Sequence, residues 1–536
     1  MKIQERFLSI GGLFIFIGLL ALAAINVTAQ TMSVGPNVNI NRQSSYQAEE
    51  AIAIDPTNPN RLFAWSNDLN ARNSAGYSTN GGASWTSRFT GSDGWPAVGG
   101  DPTCSFDSFG NLFGATFNSA FTAILVRAST NAGQTFSVSL LTNSGSLDQP
   151  TIKAGPGVIA GQQAVWITFL SGSSLVAHGA AVTGFNSFGA FGAALTIPGS
   201  SGGNFGDVAI GTNGKVAIAF QNPSGGVGPS TIEVAINSTG NTAGSFVLAA
   251  GTVATQVGGF RLIPVQPNRS VDTEVGLAYD ISGGPHRGRL HMVYTDAPST
   301  TSNDLNIFTR FSDNDGATWS SPLRVNTDAG TNSQFFPKIA LDQTSGNIAV
   351  VWYDCRNSPA NNRVELWGTV STNGGVSFVP EVKISTGSTS GVNMGSGNEL
   401  GDYLGLDFNH GVFHPCWADD SNSTGDNPDG TNDLDYYTAA VTLLPKTPVL
   451  TITPNQYAFA YMSTNRLGHV VAVSNLVSVN LNWPLNTDPA FLLQANTNLL
   501  NAVSWATLTN VPAVSNNQNI ATLAVTNGPT FFRLKK

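Results

Sequence analysis

Short apolar runs ending in Asp or Gly recur along the chain. They read AIAID to Asp55, TCSFD to Asp107, TIKAG to Gly155 and DVAIG to Gly211, then GLAYD to Asp280, KIALD to Asp342 and YLGLD to Asp407. The spacings are 52, 48, 56, 69, 62 and 65 residues. After each run comes a second apolar stretch, such as RLFAWSND, AVWITFL or IAVVWYD. A third strand follows, as in LNIFTRFSDNDG. Stretches this short, bounded by turn residues, predict strands, and a repeat of this length fits one four-stranded blade. The seventh unit stops after its third strand, Asp435 to Val441. VGPNVNINRQSSYQAEEAIAID parallels SPLRVNTDAGTNSQFFPKIALD, which places Pro36 to Asn41 as the missing strand. An N-terminal strand used this way closes a ring and leaves no exposed edge.

Four of the units share one turn. SDNDGATW (Ser312 to Trp319) has counterparts in STNGGASW (Ser78 to Trp85), STNAGQTF (Ser129 to Phe136) and STNGGVSF (Ser371 to Phe378). The Asp or Asn accepts hydrogen bonds from turn N–H groups, and Gly supplies a positive φ. The hydroxyl ties the turn back and the aromatic ring plugs the sheet edge. In the third and fourth units the turn is degenerate, near Gly184 and Thr239-Gly240. This motif resembles the Asp-box, or neuraminidase repeat, of sialidase-like β-propellers. The resemblance implies an all-β, sialidase-like propeller over residues 30–445; the seven strand units read as seven blades, with six, as in known sialidases, as the alternative. The turns themselves imply no chemistry.

Composition extends this picture. Charged residues are only 11% of the chain and Gly numbers 58, as a turn-rich all-β protein requires. Residues 1–29 carry Lys2 and Arg6, an apolar run from Phe7 to Ile25, and Val27-Thr28-Ala29, the pattern of a cleaved export signal; an uncleaved anchor is the alternative. Losing Lys2, Arg6 and Glu5 takes 24 basic and 33 acidic residues to 22 and 32. That excess of acid argues against nucleic acid or an anionic membrane as partner. Cys104, Cys355 and Cys416 are an odd number with no metal-ligand spacing, so neither a disulfide framework nor a zinc site is expected. Beyond Leu444 the prolines 445, 448 and 454 mark a linker, and short strands over 446–536 predict a small C-terminal β-sandwich.

Alternating strand direction puts the turns on one face of the disc and a ligand site on the other. On that second face the alignment gathers Glu49, Asp101, Asp148, Asp272, Glu274 and Asp402 before the first strands. Asp68, Arg72, Asp354 and Arg356 fall after the second. This convergence of acids in a charge-poor chain predicts a binding mouth, although single Asp residues also serve as strand caps. The sialidase resemblance implies three arginines on a sugar carboxylate, here Arg42, Arg72 and Arg356 with Asp402 beside them. It also implies a Tyr nucleophile, here Tyr403, with Glu274 or Glu399 as its base and Asp68 or Asp101 as the acid. The family's Arg-Ile-Pro signature is missing from the first unit, and Asp354 is a further carboxylate for a general glycosidase. The Asp419 to Asp435 loop, DDSNSTGDNPDGTNDLD, is rich in oxygen donors that suit Ca²⁺. No other cofactor is implied. The expectation is an exported protein that binds, and by the enzymatic reading hydrolyses, extracellular glycans or glycoproteins. The alternative is a non-catalytic glycan- or protein-binding scaffold.

Overall fold

The computed structural model describes residues 30–444 apart from short stretches at 69, 71, 93–94, 145, 391 and 393–398, together with parts of 451–535. Residues 1–29, where the export signal is expected, lie outside the described residues. Contacts divide the chain after Leu444, giving one unit of Gln30–Leu444 and another that contains Pro445–Lys536.

The first unit is all-β; its only described helical element is a 3₁₀ turn at Thr212–Gly214. Among the described residues it holds seven sheets of four to six strands, plus one two-stranded hairpin. In six of the seven sheets the strands follow sequence order. In the first, Gln47–Ile54 pairs with Leu62–Asp68, then come Arg72–Ser78 and Thr86–Phe89, all antiparallel. The innermost strands are Gln47–Ile54, Thr103–Phe106, Leu147–Pro156, Asn204–Ile210, Gly276–Tyr279, Gln334–Asp342 and Gly405–Asn409. Each touches the next, and the last touches the first, so they form a closed ring.

The N-terminal segment closes that ring. Val38–Asn39 pairs with the third strand of the seventh sheet, Asp435–Thr438. Met32–Val34 pairs with Val441–Leu443, a strand separate from Asp435–Thr438, whereas the sequence pattern suggests one continuous strand from Asp435 to Val441. Asn39 donates from its amide to Asp435, and Ile40 is fully buried.

Sheets pack face to face through large rings on their second strands. Trp65, Trp166, Trp352 and Trp417 are all fully buried there. Trp65 clusters with Cys104, Phe106 and Leu112 of the following sheet. Gly114 leaves the space for it, because a Cβ there would lie 2.9 Å from the indole.

The four shared turns have one geometry. In the turn from Ser312, Gly316 N donates to Ser312 Oγ at 2.8 Å, and Thr318 N donates to Asn314 Oδ1 at 2.9 Å. The same pair of bonds recurs from Ser78, Ser129 and Ser371. The aromatic residue does more than plug its own sheet. Phe136 sits edge-on to Phe63 and Trp65 of the preceding sheet, with centroids 5.7 and 5.6 Å away. Trp85 packs with Cys416 and Tyr436 of the seventh sheet. The turns therefore rivet neighbouring sheets together.

Gly133 combines a φ of +84° with a close fit against a ring: a Cβ there would lie 2.1 Å from Phe63. Gly133→Ala should lower stability by about 3 kcal/mol, positive-φ strain of ~1 kcal/mol plus overpacking. Gly411→Ala, at φ +78° with nothing within 4 Å, should lose only the strain. Urea midpoints of the two variants check this.

The second unit contains a four-stranded sheet, with Thr451–Thr464, Val470–Pro484, Gln518–Ala524 and Ala513–Ser515 in that order. A three-stranded sheet joins Ala506–Thr507, Leu492–Asn496 and Phe531–Lys535. Leu481, Trp483 and Ala521 of the first sheet cluster with Leu493 of the second. All three cysteines are free and buried.

Candidate functional site

The inner strands share a distortion on the face opposite the turns. Six residues before the end of each apolar run stand Glu49, Asp101, Gln149, Phe205, Glu274, Phe336 and Gly401. Among these, Glu49 (φ 62°), Asp101 (54°), Gln149 (41°), Glu274 (36°), Phe336 (49°) and Gly401 (74°) are left-handed. The pairing slips by a residue at this level, between Ala48 and Ala51, Asp148 and Thr151, Asn204 and Asp207, and Phe335 and Lys338. Such a bulge re-aims a side chain, and here it collects carboxylates at the mouth of the ring.

Several of the expected residues meet there. Gln149 ties two of them together: its backbone N donates to Asp101 Oδ2 at 3.2 Å and its amide to Glu274 Oε2 at 3.4 Å. Lys338 Nζ lies 3.5 Å from Glu274 Oε1. Burial pushes Glu274 up to about 7 against the pull of Lys338. Asp101 is also raised to about 7, by burial first and then by Asp148 and Asp402. Tyr403 lines the same small central hole as Glu274, Gln149 and Lys338. Burial, with Asp101, Glu49, Asp402 and Glu274 adding to it, pushes its phenol well up, so it stays protonated.

Over this floor lies a cavity of about 320 Å³, walled by Asp148, Asn204, Asp272 and Asp402 with Asn268, Arg269, Phe260 and Phe336. Arg269 is the cation that the sequence reading missed. Its Nε donates to Asp402 Oδ1 at 2.7 Å and its Nη2 to Glu49 Oε1 at 2.6 Å. It is carried by the two-stranded hairpin of Arg261–Ile263 and Gln266–Val271. This hairpin lies inside the longest of the six spacings, 69 residues, which was its one trace in the sequence. The hairpin docks on the seventh sheet's loop: Gln266 Nε2 donates to Gly401 O, and Leu400 N donates to Gln266 Oε1.

Other expected residues lie elsewhere. Glu399 accepts from Asn268 N and Arg269 N, so it anchors the hairpin and is not placed as a base for Tyr403. The three arginines share no partner. Arg42 donates to Trp85 O, Arg72 to Asp68 at 3.0 Å beneath Phe89, and Arg356 to Asp354 at 2.7 Å beneath Trp367. The structure does not bring them to one pocket. Asp68 and Asp354 cap strand ends: Asn70 N donates to Asp68 Oδ1 at 2.9 Å, and Arg356 N donates to Asp354 Oδ1 at 2.8 Å. Asp354 also takes the Trp352 indole N–H and is fully buried. Their carboxylates are consumed locally, which leaves them unsuited to proton transfer.

In the Asp419 to Asp435 loop the carboxylates are dispersed. Asp419 takes Ser421 N, Asp420 takes Ser390 N, and Asp429 takes Ser45 N. Among the described residues no group of three His, Cys, Asp or Glu side chains is placed to hold a metal ion.

The mouth carboxyls have a consequence for stability. Asp101 and Glu274 hold their protons more tightly folded than at their ordinary values of 3.8 and 4.5. The stability they contribute is complete below about pH 4 and is lost as pH rises through about 7. Melting temperature should therefore fall between about pH 5 and 8, and Asp101→Asn with Glu274→Gln should flatten the fall. An unchanged slope in the double variant would sink the assignment.

No protein-family model matches the chain, and no curated protein matches it. Among solved structures it is similar to the BP39L lectin from Burkholderia pseudomallei, at 14% identity over 74% of this chain and 96% of that one, with a TM-score of 0.46. Phage phi92 endosialidase aligns at 10% identity over 92% and 79%, TM-score 0.42. Hadza microbial sialidase Hz136 aligns at 14% over 57% and 63%, TM-score 0.38. The propeller assignment rests on the chain's own strand pairing and its closed inner ring.

Proposed function

We propose that the mouth binds an uncharged glycan and hydrolyses its glycosidic bond. The observation that carries this reading is the pair of half-buried Asp101 and buried Glu274, two carboxyls raised to about 7 and tied to one Gln149. Paired carboxyls near neutral pH are what general acid–base hydrolysis needs. The charges around Asp101 are carboxylates, which keep its proton on, so it is the donor to the leaving glycosidic oxygen. Glu274 has Lys338 beside it, so it is the one to ionise and take the proton of the attacking water. The products are a reducing sugar and an alcohol, with protons balanced. Tyr403, Asp402 and the Asn204 and Asn268 amides supply polar contacts, and Phe260, 59% exposed, supplies an apolar face.

A sugar carboxylate suits this mouth less. It would enter among Glu49, Asp148, Asp272 and Asp402, with Arg269 already engaged by two of them. Export, expected from residues 1–29, would present the mouth to extracellular glycans. A panel of chromogenic neutral glycosides and sialosides tests the reading. Turnover of a neutral glycoside is expected; turnover confined to sialosides, or none at all, overturns it. Glycan binding without turnover would favour the binding-module reading, for which Phe260 and the mouth amides suffice.

A further inference from the structure

The central channel has a second end, and its chemistry is the inverse of the first. On the face that carries the turns, a cavity of about 310 Å³ is walled by Ile54, Phe106, Ile210, Leu277, Leu341 and Phe408 from six of the seven sheets. The width has a register-level cause. Two residues before the end of each apolar run the chain places Ala53, Ser105, Lys153, Ala209, Ala278, Ala340 and Gly405. Six of those seven are small. Lys153 is the exception, and it lines both this cavity and the small hole beneath the acidic mouth, so it stands at the waist of the channel.

The Lys153 ammonium makes no hydrogen bond or ion pair among the described residues. Asp407 attracts it at longer range, but the Asp407 carboxyl is occupied by Ile54 N at 2.7 Å and Phe408 N at 2.8 Å. Burial raises Asp407 towards its neutral form. Cys104, whose thiol burial also raises, adds no charge, and His410 stands at the rim. A cation without a partner at the bottom of an apolar funnel fits one kind of ligand: an anionic head on an apolar body.

We propose that this end of the channel is a binding site for a medium-chain carboxylate, its head on Lys153 and its chain against the apolar wall. The site is separate from the acidic mouth and does not depend on the glycan reading. Calorimetric titration of the full chain with decanoate tests it. Saturable 1:1 binding at submillimolar concentration is expected, with decanol and decyltrimethylammonium at least about tenfold weaker. Lys153→Met should weaken decanoate by about tenfold or more, while Lys153→Arg should stay within about threefold. Thermal melts of both variants separate lost binding from lost folding. Ala340→Phe, which fills the bore from the opposite side, should also abolish binding, whereas Asp101→Asn at the other mouth should leave it unchanged. Absence of saturable binding, decanol binding as tightly as decanoate, or full binding by a folded Lys153→Met chain would each overturn the proposal.

Discussion

Asp101→Asn should lower kcat on a neutral glycoside by about 10²–10⁴-fold while leaving affinity for the intact glycan within a few fold, the signature of a lost proton donor. Glu274→Gln should fall as far, because the same bond breaks only when a base takes the proton of water. The wild-type rate should follow a bell centred near neutrality, since both groups are raised to about 7 and one must be protonated while the other is ionised. The two limbs belong to the pair: Gln149 links them, and each feels Asp402. Removing Asp101 should erase the alkaline limb. Hydrolysis assays over about pH 5 to 9 read all of this. An Asp101→Asn enzyme with wild-type kcat would end the catalytic assignment and leave only recognition at the mouth. Asp68→Asn and Asp354→Asn are the informative contrasts, because their effects should appear in melting temperature and scarcely in kcat.

Deleting residues 30–41 should collapse the stability of the first unit, lowering its melting temperature by more than about 10 °C or preventing soluble expression. Two strand pairings go at once, those of Met32–Val34 and Val38–Asn39. The buried side chains of Met32 and Ile40 go with them, at about 1.5–3 kcal/mol each. Asp435 also loses the Asn39 amide. Against a typical stability of about 5–15 kcal/mol this is a large fraction. The seventh sheet would then present an open edge, an invitation to pair with a second chain. Circular dichroism melts and gel filtration check the outcome; an unaltered monomeric melt would mean the ring does not need this closure.

What the sequence disclosed, and what it concealed, follow from how local each signal is. The turns were legible because Ser312, Asn314, Gly316 and Thr318 satisfy one another within seven residues, so the motif is complete in the local sequence. The inner strands were legible from their apolar runs, and their register placed Glu49, Asp101, Glu274 and Asp402 at one mouth. Caps and catalysts could not be separated, because Asp354 and Asp101 look alike until Asp354 is seen to take the N–H of Arg356 two residues on, while Asp101 takes that of Gln149 in the next sheet. Arg269 was invisible for a different reason: it reaches Glu49, 220 residues away, from a hairpin outside the repeat. Nor could the repeat show that Arg72 and Arg356 were held by the Asp68 and Asp354 carboxylates and Arg42 by Trp85 O, which removed all three expected arginines from the pocket.

The left-handed ring at the mouth bears on how such a site changes. Glycine already occupies one of its places, at 401, and elsewhere acid, amide and phenyl side chains fill equivalent places on the same backbone. At 401 a Cβ would lie 2.4 Å from Glu49 Cγ, which keeps that place glycine, while the other places are sockets whose shape is set by the bulge and whose content varies. At those other places exchanges among Asn, Asp, Gln and Glu should rewrite specificity with little harm to the scaffold, while Val, Ile or Thr, which resist positive φ, are shut out.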